Sequence, residues 1–94
     1  MENAQGKILK EIVDERDRQD EMWGGEEHDD GHRINDWIAF ITEYLGKSRE
    51  APYNIGNFRD NMIKVAALAV AAAESVDRAI ESDNRAVNEC KKWR

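Results

Sequence analysis

The sequence is poor in the residues that punctuate or cross-link a chain: one proline, six glycines and one cysteine occur in 94 residues. A lone cysteine, Cys90, rules out an intramolecular disulfide and a thiolate-rich zinc site, which fits the reducing cytoplasm. So little proline and glycine, with few β-branched runs, leaves scant material for a sheet and its turns. No apolar run reaches membrane length either. The longest, from Met62 to Ala73, is interrupted by Lys64 and falls short of the ~20 residues a span needs. The opening MENAQGKILKEIVDERDR has neither the apolar run nor the small-residue cleavage site of a signal peptide, so a cytoplasmic setting is expected.

Positive charge is also short. Fourteen bases stand against 20 acids, a formal charge of -6. That balance opposes the phosphate neutralisation from which nucleic-acid binders gain affinity, so no nucleic acid is expected as partner. What the chain has in quantity is Ala, Glu, Asp, Lys and Arg, the composition of helical bundles. The expected fold class is therefore all-α, a single domain over 1–94. A chain this short buries little more than half of its unfolded surface when it folds alone, so a thin core completed by homodimerisation is expected.

Apolar residues Ile8, Leu9, Ile12, Val13, Met22 and Trp23 recur at helical spacing and predict a first helix from about Ala4 to Trp23. Gly24 and Gly25 end it, and Gly24 to Arg33 reads as a polar loop. Asn35 or Asp36 is placed to cap a second helix carrying Trp37, Ile38, Phe40, Ile41, Tyr44 and Leu45 and ending near Lys47. SREAPYNIGN, with Pro52 and Gly56, predicts a loop of roughly eight to ten residues. A third helix follows from about Asn57 or Phe58 to Ile80. Its middle, MIKVAALAVAAA, is apolar around nearly the whole circumference, which places it between the other two helices on one side and a second subunit on the other. From about residue 82 the chain is polar, and a short or frayed terminal helix near Trp93 completes the expected three main helices plus one.

Some polar residues interrupt apolar stripes. On helix 1, Glu15 and Gln19 fall in line with Ile8, Ile12 and Trp23, so either they meet partners in a cleft or the helix projects past the core there. On helix 2, Asp36, Phe40, Glu43 and Lys47 form an edge stripe in which Glu43 is a cation ligand or simply the i,i+4 partner of Lys47. Lys64 on the third helix either snorkels outward or pairs with Glu43 or Glu15. His28-Asp29-Asp30-Gly31-His32 offers four metal ligands in five residues. Such groups in a loop are more often solvated or capping, and an HD-type phosphohydrolase needs further ligands that this chain lacks.

Glu15-Arg16-Asp17-Arg18-Gln19-Asp20-Glu21-Met22-Trp23-Gly24 followed by His28, then Ile41-Thr42-Glu43-Tyr44-Leu45-Gly46-Lys47, then Met62 to Glu74, together resemble small phage-type and bacterial proteins of the MazG-like group. These are all-α nucleoside triphosphate pyrophosphohydrolases, and the resemblance covers roughly residues 11 to 80. It implies Mg²⁺ as the cofactor of an active enzyme, held by paired carboxylates on two helices, with the triphosphate cleaved to monophosphate and pyrophosphate. Glu43 matches the first carboxylate of helix 2 and is the implied catalytic residue. Tyr44 and Lys47 stand where further acids are expected, and Asn61 and Lys64 where the next helix supplies its pair. Two lysines in place of two acids repel a divalent cation and leave phosphate contact as their alternative use. Metal ligation then requires relocated acids, with Glu11, Glu15, Asp36 and Asp60 as candidates beside Glu43. Trp23, Trp37 and Tyr44 are the expected neighbours of the base, with Lys47 and Lys64 completing the substrate-binding set. The alternative is a catalytically inactive dimeric interaction module of mobile-element or phage origin on the same scaffold.

Overall fold

The computed structural model describes residues 3–83, and among them the chain is helical outside three short connections, with no strand. The elements are α1 (Ala4–Trp23), α2 (Gly25–Asp30), α3 (Ile34–Glu50) and α4 (Ile55–Ser82). The expected terminal helix near Trp93, and Cys90, lie outside the described residues.

Local chemistry sets each boundary. Asn3 starts α1 by accepting from the Gly6 N–H at 2.7 Å, satisfying one of the donors that the first turn leaves free. Gly24 ends it in the left-handed region at φ 106°, its N–H donating to the Asp20 carbonyl. The segment expected to be a loop instead forms the six-residue α2, with Glu26 and Glu27 at its electropositive first turn. Six residues are too few to show a periodicity and too few to be stable alone, so α2 depends on what it docks against. Asp36 does not cap α3. Helix α3 starts earlier, at Ile34, and Asp36 is the third residue in, its carboxylate accepting from the Arg33 N–H at 2.8 Å. The loop expected to follow shrinks to residues 51–54. Helix α3 continues through Ser48 to Glu50, and Asn54 caps α4 by accepting from the Asn57 N–H at 2.9 Å.

Helix α4 is the spine: α1, α2 and α3 all pack on it, whereas no Cα of α1 comes within 8 Å of one of α3. The alanine-rich helix thus packs against both of the other long helices, as expected. Ala67 and Ala71 are buried on it beside Leu68, and Trp37 closes the small core with Phe40, Ile41, Tyr44 and Ala72 packed around it. Asn61 is also buried and donates to the Ser48 hydroxyl at 3.1 Å, which fixes the register of α3 on α4. That register turns Trp37, Phe40, Ile41, Tyr44 and Ser48 inward. Ile38 and Leu45, expected on the same inward face, are exposed instead.

Three arginines tie α1 and α2 to the spine. Arg16 reaches Glu74 at 2.6 Å, Arg59 of α4 holds Glu11 through both guanidinium amino groups, and Arg78 clasps Asp30 at 2.7 Å and Glu26 at 3.2 Å. No helix among the described residues is long and apolar enough to cross a membrane.

Glycine substitutions separate conformational need from tolerance. Gly24→Ala forces a Cβ into the left-handed region and should cost about 1–2 kcal/mol. Gly46 lies inside α3 with nothing within 4 Å of an added Cβ, so Gly46→Ala should stabilise by about 0.5–1 kcal/mol. Urea unfolding of both variants reads the opposite signs.

Candidate functional site

Because α1 and α3 diverge on their shared spine, the space between them is a cleft of about 370 Å³ rather than a packed seam. Its floor is Leu68 and Ala71 of α4, its walls are Gln19 and Trp23 of α1 and Trp37, Phe40, Glu43 and Tyr44 of α3, and its end is closed by His28, Asp29 and His32. The volume lies within the range of small-molecule sites, which are mostly apolar with a few placed polar groups.

The aromatic wall is preorganised by edge-to-face packing. His32 sits 5.1 Å from Trp37 and 5.0 Å from Phe40, centroid to centroid, with the rings near perpendicular. His28 meets His32 in the same manner at 4.7 Å. The histidines of the HDDGH run therefore serve as wall, and Asp30 of that run is taken by Arg78 and by the Ser75 hydroxyl, which donates at 3.0 Å.

The polar end is less settled energetically. Asp29 is only 7 % exposed, and its Oδ2 has no hydrogen-bond partner. Arg16 lies 3.7 Å from that oxygen, near enough for ion pairing but too far for a hydrogen bond, since its guanidinium is engaged by Asp20 and Glu74. Burial raises the Asp29 pKa above its ordinary value, with Arg16 opposing the rise. Gln19, 3 % exposed, donates its amide N–H to Glu15 at 3.1 Å and keeps its carbonyl oxygen as an acceptor.

Of the residues singled out from the sequence, Trp23, Trp37, Glu43 and Tyr44 line this cleft. Lys47 and Lys64 stand beside it, their ammonium groups 4.8 and 5.7 Å from the Tyr44 ring centroid. Glu43 pairs with Lys47 at 3.8 Å, the plain i,i+4 partnership. Glu15 and Gln19 do turn inward, so α1 does not project past the core. Glu15 and Asp60, however, border a separate groove with Glu11, Asp14, Arg18 and Lys64, and Arg18 grips Glu15 with two nitrogens at 2.6 and 2.9 Å. Asp36 is spent at the α3 terminus.

The proposed metal ligands Glu15, Glu43, Asp36 and Asp60 are thus divided among three places, and no group of three His, Cys, Asp or Glu side chains suited to a metal ion occurs among the described residues. The donor set present does not fit a carboxylate-held Mg²⁺, and no hydrolytic step follows from it. Arg16 is a lining residue to which sequence reasoning gave no role of its own; Asp29 entered only as a member of the HDDGH run and Phe40 only through its place on the edge stripe of α3. No family model, curated protein or solved structure matches the chain.

The carboxylates predict an acid response of mixed sign. Glu11, Glu15 and Asp30 are held below their ordinary values, first by hydrogen bonds from Arg59, Arg18 and Arg78 respectively. Their stabilisation is present above the unfolded values, 4.5 for Glu and 3.8 for Asp, and is lost as pH falls through the lower folded values. Asp29 runs the other way: its raised folded pKa gives stability that is full below 3.8 and lost as pH rises through the folded value. Asp29→Asn should therefore steepen the loss of stability toward acid, read by urea unfolding between pH 3 and 7.

Proposed function

We propose that the cleft binds a nucleoside triphosphate, with the base against the Trp23, Trp37, Phe40 and Tyr44 wall and the phosphates against Lys47 and Lys64. The observation that carries this reading is the juxtaposition of an aromatic-walled cavity with two ammonium groups on the ring at its edge. A planar base gains from stacking on such a wall, and the compact ammonium charge suits phosphate. This is the binding half of what the MazG-like resemblance implies. The hydrolytic half, with Mg²⁺ as cofactor and Glu43 as catalytic residue, is not part of the proposal. Of the acids that would hold the metal, Glu15, Glu43 and Asp36 are engaged by Arg18, Lys47 and the α3 terminus respectively.

The test is a titration of triphosphates into the protein, with and without Mg²⁺, followed by tryptophan fluorescence and by the melting temperature. Binding without metal is expected. The Lys47→Gln and Lys64→Gln variants should each weaken triphosphate binding about tenfold, with little effect on the bare nucleoside. Absence of any shift across the common triphosphates sinks the proposal. Pyrophosphate release that needs Mg²⁺ and is abolished by Glu43→Gln would instead restore the hydrolase.

A second reading concerns assembly, and the distribution of apolar surface favours it. Trp37, Ala67, Leu68 and Ala71 are the buried hydrophobic residues among those described, whereas Ile34, Ile38, Val76 and Ile80 are exposed along one side of α3 and α4. Ile34, Ile38, Ile41, Ala72 and Val76 line a groove there, on a face separate from the cleft. A second copy of the chain laid on this face forms the homodimer, since a chain this short needs more burial than its own core supplies. Light scattering at micromolar concentration should give twice the subunit mass. Ile38→Glu should yield the monomer, and a wild-type monomer overturns the pairing.

A further inference from the structure

Helix α2 has nothing apolar with which to hold its place. Its residues Gly25, Glu26, Glu27, His28, Asp29 and Asp30 include no aliphatic side chain, so burial of hydrocarbon, the main source of docking energy for a helix, is not open to it. Polar contacts hold it instead. Arg78 of α4 reaches Asp30 at 2.7 Å and Glu26 at 3.2 Å, and the Ser75 hydroxyl donates to Asp30 at 3.0 Å. On the α1 side, Arg16 comes only to 3.7 Å from Asp29, whose Oδ2 is buried without a hydrogen bond. The docked position therefore combines partly exposed ion pairs, weak by nature, with one uncompensated carboxylate.

The connections on either side are able to turn. Gly24 and Gly25 stand consecutively in the left-handed region at φ 106° and 70°, and Gly31 follows the last residue of α2. Glycine passes between backbone wells that other residues enter at a cost, which suits a hinge. What α2 covers is set by the same contacts. Ser75 is buried against Asp29 and Asp30, and His28 and Asp29 close the end of the cleft. Local opening is drawn from the segments with the fewest buried apolar contacts, and α2 is such a segment. We infer that α2 is a latched flap: it leaves α4 as a unit, turning on Gly24, Gly25 and Gly31, while α1, α3 and α4 remain packed, and so opens the end of the cleft. Arg78 is the latch. The flap is independent of which ligand the cleft takes.

Position 75 reports the opening, because a thiol there is covered by α2 and becomes reactive when α2 leaves. In a Cys90→Ser background, Ser75→Cys should be alkylated by iodoacetamide at least about 100-fold faster than Ala67→Cys, whose site is 0 % exposed and opens only when the long helices separate. Adding Arg78→Gln should speed alkylation at position 75 about tenfold. Arg59→Gln breaks the Glu11 pair that links α1 to α4, a pair intact in both the latched and the open form. It should therefore speed alkylation at position 67 and leave the rate at position 75 unchanged. Equal alkylation at the two positions overturns the flap, and so does a rate at position 75 that responds alike to both arginine variants. If either cysteine variant does not fold by circular dichroism, hydrogen exchange of the unmodified chain decides. The Asp29 and Asp30 amides should then exchange well ahead of those of Ala67 and Leu68, and exchange of all four with the same protection overturns the inference.

Discussion

The structure depends on a single constraint: α1 and α3 both pack on α4, with their own backbones kept apart. Ala67 and Ala71 allow neighbouring backbones to approach the spine closely, because a methyl group is all that each interposes. The backbones of α1 and α3 stay more than 8 Å apart above that strip. The aromatic side chains of α3 and the polar stripe of α1 face one another across the gap, and α2 closes one end. A conventional bundle would have filled this space with aliphatic side chains. Here the same geometry that leaves the core small leaves a cleft.

Arginine fixes α1 and α2, though not α3, to the spine. Arg16 and Arg59 join α1 to α4 and Arg78 joins α2 to α4, each guanidinium reaching a carboxylate distant in sequence. The value of such pairs is orientation more than stability. Arg78 matters most for the cleft. By holding Asp30 and Glu26 it docks a helix too short to persist alone, and that helix carries His28 and Asp29. Arg16 has a divided task, since its pairing with Asp20 and Glu74 is what leaves Asp29 without a hydrogen bond.

Helical content, the extent of α1 and the central place of α4 were legible in the sequence because each rests on a repeated local pattern. The inward turn of Glu15 and Gln19 was legible for the same reason: 100° per residue puts them in line with Ile8 and Ile12. What was illegible depends on contacts far apart in the chain. Helix α2, which ends within the HDDGH run, has no periodicity of its own and is docked by Arg78 and Ser75 and by packing on α1 and α4. The rotation of α3 that exposes Ile38 and Leu45 goes with the packing of Trp37, Phe40, Ile41 and Tyr44 in the core and with the hydrogen bond from Asn61 to Ser48. Asn61 had stood out only as a missing acid, and its burial shows a structural use. Asp29 and Arg16 sit in charged stretches where nothing local separates an orphaned carboxylate from a solvated one.

On the proposed reading, lysines in place of acids change what the cleft can do without removing its affinity for phosphate. A divalent ion recruited by carboxylates bridges phosphate oxygens and also orients a water for attack. Fixed ammonium groups can supply the first service and not the second, because they carry no coordination sphere in which a water can be activated. Lys47 and Lys64 are held near Tyr44, close to where a stacked base would place its ribose and phosphates. Glu43, the remaining acid of the motif, is matched to Lys47 and so tempers that positive charge. Attraction for the triphosphate, which the two ammonium groups would supply, is thus separate from its cleavage, which would need a metal-bound water that they cannot provide.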